Sequence, residues 1–216
     1  MVNDSIAKNH SISHIQSGKW ANKSSLCKRF NLDEPKPLFS FIGRLVYEKG
    51  ADLFPSILYK TLLKKEINII ILGSGDKKVE AELRSLNIHF NDSFASEIGF
   101  NEELAHQIYA GSDFLLMPSR VEPCGLNQMY ALRYGTIPIV RRIGGLKDTV
   151  IDIENGGFGI CHDQATVEDV CHSIDRAIEL YKKPSEFKRI RKKCMQIDNS
   201  WDKSAQEYLT LYKSLI

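Results

Sequence analysis

Short, almost wholly apolar runs recur along most of this chain, several ending in glycine or proline, and stretches with helical periodicity lie between them. That alternation restricts the fold more than any other feature. Leu38-Phe-Ser-Phe-Ile, Asn68-Ile-Ile-Ile-Leu, Phe114-Leu-Leu-Met and Ile137-Pro-Ile-Val lack a regular polar face, so each reads as a strand covered on both sides. Weaker strands are expected over residues 93–99 and around Phe158-Gly-Ile160. Helical stretches separate them. One carries Leu53, Ile57, Leu58 and Leu62 on a single face, and another starts at Asp76 as N-cap and runs to about Leu86. Further helices are expected over residues 101–111, 125–134, 166–181, 184–196 and 201–215. Strands separated by helices require right-handed crossovers, which makes this an α/β chain with a parallel sheet and helices on both faces. Ligands of such sheets lie beyond the carboxyl ends of the strands. The loops after Ile42, Leu72, Gly99, Met117 and Val140 are therefore where chemistry is expected.

A chain of 216 residues is long enough to bury a core without staples. Pro35 and Pro37 mark a boundary. Residues 1–36 read as a polar linker or interdomain segment with one short helix over residues 19–30, and residues 37–216 as the folded domain. Net charge is +2, from 29 Lys and Arg against 27 Asp and Glu, which argues against a dedicated nucleic-acid binder. The five cysteines (27, 124, 161, 171 and 194) are scattered and form no C-x-x-C pair, so neither a disulfide framework nor a zinc site is expected. No run approaches the roughly 18 apolar residues of a membrane span, and the first residues lack the charged and apolar regions of a signal peptide. These features point to a reducing cytoplasm. His89, His106, His162 and His172 have no metal-ligand spacing and read as surface or helix histidines. The basic run from Lys188 to Lys193 reads as a solvated helix face.

The first loop, Gly43-Arg44-Leu-Val-Tyr-Glu-Lys49-Gly50, places two cations between a strand end and a helix start. A guanidinium offers a planar fork to phosphate oxygens and an ammonium a compact charge, which together match a diphosphate. Gly43 and Gly50 would let backbone approach it. A solvated loop with two surface cations accounts for the residues equally well. Gly73-Ser-Gly75-Asp76 has the same double reading, as a nucleotide contact or a tight turn before a capped helix. The fourth loop, Pro118-Ser-Arg-Val-Glu122-Pro-Cys124-Gly125-Leu126-Asn127, says more. Its amides around Gly125 open a helix and would face an anion. A carboxylate beside an anion site makes sense when it accepts hydrogen bonds from hydroxyls attached to that anion, as in a sugar phosphate. No G-x-G-x-x-G or Walker A motif is present.

Joined, these loops resemble a known family. Phe41-Ile-Gly-Arg-Leu…Glu-Lys-Gly50, Ile71-Leu-Gly-Ser-Gly-Asp76 and above all Pro118-Ser-Arg-Val-Glu-Pro-Cys-Gly-Leu-Asn-Gln-Met-Tyr-Ala-Leu-Arg-Tyr-Gly135 resemble the C-terminal domain of bacterial glycogen synthases and plant starch synthases, glycosyltransferase family 5. Thr136-Ile-Pro-Ile-Val-Arg, Gly-Gly-Leu-Lys-Asp-Thr-Val150 and Ser200-Trp-Asp-Lys-Ser-Ala fit as well, so the likeness runs from about residue 19 to the end. The resemblance implies a GT-B fold, in which two Rossmann-like domains enclose the active site, and this chain would be the second of them. It implies retaining transfer of glucose from ADP-glucose to the non-reducing end of an α-1,4-glucan, with no metal and no cofactor beyond the donor.

Carried over by motif, Arg44 and Lys49 would neutralise the departing diphosphate and Glu122 would hold the donor glucose. Gly43, Gly73, Gly75 and the amides of Cys124, Gly125, Leu126 and Asn127 would line the nucleotide sugar. Phe100 stands where the family places an aromatic, often Tyr, against adenine. Related transferases often carry a second Glu eight residues after the first; Tyr130 is there instead, as is usual in glycogen synthases. Asn127 stands where some members have Thr. The family's N-terminal Lys-x-Gly-Gly-Leu loop and catalytic-site His have no counterpart, since Gly144-Gly-Leu146 lacks the lysine. By itself, this chain is therefore expected to bind ADP weakly and not to elongate glucan. A non-catalytic nucleotide-binding module, or a GT-B transferase with another donor or acceptor, remains the alternative.

Overall fold

The apolar runs become the strands of one sheet in the computed structural model, which describes residues 3–215. These are β1 (Leu38–Ile42), β2 (Asn68–Gly73), β3 (Phe94–Ile98), β4 (Phe114–Met117), β5 (Ile137–Arg141) and β6 (Ile160–His162). All neighbours pair in parallel, in the order β3-β2-β1-β4-β5-β6. The crossovers are α2 (Phe54–Leu62), α3 (Lys77–His89), α4 (Glu102–Gly111), α5 (Asn127–Tyr134) and a short α6 (Gly144–Thr149). Before the sheet lies α1 (Ile15–Phe30), and after it α7 (Val167–Tyr181), α8 (Pro184–Gln196) and α9 (Trp201–Ser214).

Successive strand residues point to opposite faces, and the core divides accordingly. Phe39, Phe41, Ile69, Ile71, Phe114 and Leu116 pack with Ile57, Leu58, Leu83, Ile174 and Ile190 of α2, α3, α7 and α8. On the other face, Leu38, Ile70 and Leu72 meet Leu26 of α1 and Leu104 and Ile108 of α4. Beside them, Leu115, Met117 and Val140 meet Ala131 of α5 and Leu146 of α6. The parallel sheet expected from the apolar runs is thus covered on both sides. Asp76 caps α3 as expected, its carboxylate accepting from the amides of Lys78 at 2.8 Å and Val79 at 3.2 Å.

The last strand lies two residues beyond its expected place. Phe158 belongs to a tight connection, where the amides of Phe158 and Gly159 both donate to the Ile151 carbonyl at 2.9 and 3.0 Å. Asp152 fixes the strand that follows by accepting from the Cys161 amide at 2.6 Å and from Arg176 at 2.7 Å. The shift draws His162 onto the strand, where it is buried, not on a surface or a helix as expected. Its Nδ1 faces the Gln164 carbonyl at 2.9 Å, and burial pushes its pKa down.

The polar segment before β1 contributes buried charge. From α1, Lys19 Nζ donates to Thr136 Oγ1 at 2.6 Å and to the Tyr109 carbonyl at 3.2 Å. Lys23 pairs with Asp113 at 2.8 Å and reaches the Tyr181 hydroxyl at 3.0 Å. Asp113 also accepts from the Leu38 amide at 2.8 Å and pairs with Arg191. Arg191 therefore departs from the solvated face expected of the basic run: it shares the inward side of α8 with Phe187, Ile190 and Cys194. By contrast, no residue of α9 described here is buried, and Trp201, Tyr208 and Tyr212 are exposed along it. Among the described residues, no helix is long and apolar enough to cross a membrane.

Candidate functional site

From β1 the chain steps outward through β2 and β3, and from β4 it steps the other way through β5 and β6. Between β1 and β4 the crossovers diverge, which opens a crevice at the carboxyl ends of those two strands. The Gly43 to Gly50 loop leaves β1 there, and the Pro118 to Leu126 loop leaves β4. The two motifs separated in sequence are therefore neighbours in space.

Several contacts hold these loops together. The amides of Arg120 and Val121 donate to the Glu48 carbonyl at 2.8 and 3.0 Å. The Arg120 guanidinium takes both Asp52 carboxylate oxygens, at 2.6 and 3.0 Å, donates to the Tyr47 carbonyl at 2.9 Å, and lies 3.8 Å from the centre of the Tyr47 ring. Gly50 has φ +71° and packs on the Pro118 carbonyl so closely that a Cβ would strike it. Its lack of a side chain serves loop packing, where the sequence alone offered approach to a ligand. Lys49 Nζ lies 2.5 Å from Glu122 Oε2, which also accepts from the Ser119 hydroxyl at 3.3 Å. Glu122 is 8% exposed. An ion pair this enclosed is held by its geometry, because each partner would be costly to leave there alone.

At the carboxyl ends of β1, β2 and β3, against the start of α5, lies a pocket of about 310 Å³ that Lys49, Glu122, Cys124, Gly125 and Leu126 do not line. Gly43, Arg44, Gly73, Phe100 and Asn127 line it, together with Ile42, Leu72, Ser74, Gly99, Asn101 and Ala105. Arg44 is exposed, and Phe100 is 91% exposed at the rim. Asn127 donates its side-chain amide to the Ile42 carbonyl at 2.6 Å, which fixes the start of α5 against the end of β1. Gly75 is not among the lining residues: it packs against the Leu45 carbonyl and donates its amide to Glu80 at 2.9 Å. Larger clefts, among them two of about 540 and 580 Å³, lie away from these loops.

The first turn of α5 follows Cys124, Gly125 and Leu126, and Leu126 has no side-chain cap from its own helix. Cys124 and Leu126 are exposed, and the helix dipole leaves partial positive charge at this end. Gly125, at φ +78°, packs on the Gln128 side chain, which donates to the Gly125 carbonyl at 3.0 Å and to Thr149 Oγ1 at 3.0 Å. Sequence reasoning missed what lies under this loop. Gly144 and Gly145 are so close to the carbonyls of Glu122 and Cys124 that a Cβ on either would collide with them, and the Gly145 amide donates to Glu122 O at 3.2 Å. The adjacent pair of glycines was the only available signal. Gly144→Ala, which also strains a φ of +45°, is expected to cost about 2 kcal/mol, or roughly 4–8 °C in Tm. Thermal unfolding checks this, and an unchanged Tm would show that the Glu122 loop can yield without cost.

Among the described residues, no group of three or more His, Cys, Asp and Glu side chains is placed to hold a metal ion. Arg44 and the amides of α5 can meet phosphate, Phe100 a planar base, and Glu122 hydroxyl groups.

Residues 22–193 match the family model described as glycosyl transferases group 1. The chain belongs to that family. It is 55% identical over 213 residues to a glycogen synthase of Flavobacterium johnsoniae, covering 98% of this chain and 45% of that one. The catalytic domain of starch synthase IV from Arabidopsis thaliana, bound to ADP and acarbose, superposes with a TM-score of 0.89 at 34% identity, over 99% of this chain and 45% of that one. A sucrose-phosphate synthase from Thermosynechococcus elongatus, at 20% identity and a TM-score of 0.67, shares the fold. This group 1 glycosyl transferase chain thus spans a little under half the length of the curated relatives it matches.

Proposed function

We propose that this chain binds ADP-glucose and, within a longer protein, forms the donor half of a glycogen or starch synthase. That enzyme transfers glucose, with retention, to the non-reducing end of an α-1,4-glucan. The observation that carries this reading is that Arg44 and Asn127, from the β1 loop and the uncapped start of α5, share one pocket, while the Lys49–Glu122 pair joins the same two loops. The starch synthase related to this chain at 34% identity binds ADP in its solved form, which supports the choice of base. The facing wall, and the acceptor glucan's contacts, would come from the part of the relatives that this chain does not span, joined through residues 1–36. Five free cysteines suit a reducing, cytoplasmic setting.

The division of labour follows from charge. As the bond between glucose and the diphosphate breaks, negative charge grows on the leaving oxygen, and cations fixed nearby stabilise that state more than the ground state. Arg44 and Lys49 take this role. Lys49 and Ser119 both engage Oε2 of Glu122, so Oε1 is the oxygen offered to the hydroxyls of the donor glucose. The amides at the start of α5 would meet the phosphate oxygens.

Phe100 supplies the test of the base. Stacking a base on an aromatic ring contributes about 1–3 kcal/mol, so Phe100→Ala is expected to weaken ADP binding by about tenfold. Calorimetric titration with ADP, UDP and ADP-glucose measures it. Equal affinity for UDP and ADP, together with no effect of Phe100→Ala, would point to a transferase with another donor. Incorporation of labelled glucose by the complete protein then separates an enzyme from a nucleotide-binding module.

A further inference from the structure

The amino ends of β1 and β4, at the far side of the sheet from Arg44 and Glu122, hold a second feature that this function leaves unused. Leu38 opens β1 and Asp113 immediately precedes β4. Beside them, between α1 and α8, lies a pocket of about 380 Å³. Lys19, Lys23, Lys188 and Arg191 line it, and among the described residues Asp113 is the only carboxylate that does.

The charges there do not balance. Lys23 and Arg191 both bind the one carboxylate of Asp113. Lys19, 2% exposed, has only neutral acceptors, the Thr136 hydroxyl and the Tyr109 carbonyl. The Nε–H of Arg191 is buried without an acceptor, although the residue is only 9% exposed. Burial, reinforced by the nearby Arg191 charge, lowers the pKa of Lys19 well below its ordinary value. A buried cation without a counter-charge is costly, which is what favours the neutral form of Lys19, and an anion in the adjoining space would offset that cost and restore its charge. Two of the cations are steadied by aromatic rings, Arg191 at 4.1 Å from the centre of Phe187 and Lys23 at 5.0 Å from Tyr181. Trp20, 54% exposed, lines the pocket with Ile15, Gln16 and Pro184.

We propose that this pocket binds a phosphate monoester of a small molecule, with the phosphate among Lys19, Lys188 and Arg191 and the body of the ester against Trp20. A monoester carries about −1.5 to −2 charge at pH 7, which matches the excess of cations better than a single carboxylate does. The pocket's volume falls within the range of small-ligand sites, about 300–1,000 Å³. Some five residues of strand, roughly 15 Å, separate it from the donor site, so both can be filled at once.

Titration calorimetry on the 216-residue chain tests this with inorganic phosphate, glucose 1-phosphate and AMP as probes. Saturable binding of phosphate is expected, with at least one ester binding more tightly. A tighter glucose 1-phosphate identifies a sugar phosphate as the class, and a tighter AMP identifies a nucleotide stacked on Trp20. Lys188 is exposed, so Lys188→Glu leaves the fold intact. It should weaken the ester by about tenfold or more, since it replaces attraction by repulsion at close range. Arg44→Ala should leave this binding unchanged. Absence of saturable binding would overturn the proposal. So would esters that bind no more tightly than inorganic phosphate, or binding lost in Arg44→Ala and kept in Lys188→Glu, because the anion would then occupy the donor site.

Discussion

Alanine at Arg44 in the complete protein is expected to lower kcat for glucose transfer from ADP-glucose by about 10²–10³, equivalent to about 3 kcal/mol of transition-state stabilisation. The argument is positional. Arg44 lines the pocket beside the switch point and is exposed, so its charge is available to a ligand. A charge that acts on the leaving diphosphate should be missed in kcat more than in KM, because its interaction strengthens as the bond breaks. Arg44→Lys should recover only part of the rate, since a point charge cannot reproduce a planar fork on two phosphate oxygens. Lys49 is a less clean target: removing it strands Glu122, 8% exposed, without its cation, and the loss would mix catalysis with local collapse. Steady-state kinetics decide the matter, and near-normal turnover by Arg44→Ala would remove Arg44 from the mechanism.

Asp113→Asn should produce the largest loss of stability. The substitution keeps an acceptor for the Leu38 amide but leaves Lys23 and Arg191 buried around a neutral group. Removing one partner of such a cluster costs about 3–5 kcal/mol, or roughly 6–20 °C in Tm for a chain of this size. Acid should have a related effect. Burial alone would raise the Asp113 carboxyl above its ordinary 3.8, but the charges of Lys23 and Arg191 outweigh burial and hold it lower. A carboxyl with a depressed folded pKa contributes fully above the unfolded value. Its contribution is therefore complete above about pH 5 and is lost as pH falls through 4 toward the folded pKa. Denaturant unfolding at neutral and acid pH measures both effects. An Asp113→Asn protein with the wild-type midpoint at pH 7 would show that the cluster contributes nothing net.

How far the residues foretold this molecule depended on the range of the interaction. Leu38-Phe-Ser-Phe-Ile or Asn68-Ile-Ile-Ile-Leu is readable because a strand buried on both faces needs an apolar side chain at nearly every position. The cap at Asp76 is readable because its partners are two and three residues away. Sheet order is not local. Nothing in β1 or β4 announces that they pair, so the crevice between them came from the structure. Lys49 and Glu122 are 73 residues apart, and their ion pair was invisible even though each was singled out. Arg120, which fastens the two loops, carries no local signal of that role, because its partners Tyr47 and Asp52 are 73 and 68 residues away. Lys19 and Lys23 misled in the opposite sense: hydropathy marks them as solvated, yet hydrogen bonds and Asp113 carry them inside. The two-residue displacement of β6 has the same origin, since Asp152 and Arg176, not local propensity, decide where pairing begins.

The seam between β1 and β4 also governs when the molecule acquires a site at all. Leu38 and Asp113, joined across that seam, are 75 residues apart, and the intervening chain must already be compact before they meet. Closing so long a loop is slow because its entropy is lost before the contacts form. The first half of the chain contains Arg44 and Lys49, and the second contains Glu122 and α5. On the function proposed above, an intermediate in which β1 and β4 have not paired would not bring these groups together, so binding of a nucleotide sugar would report that pairing.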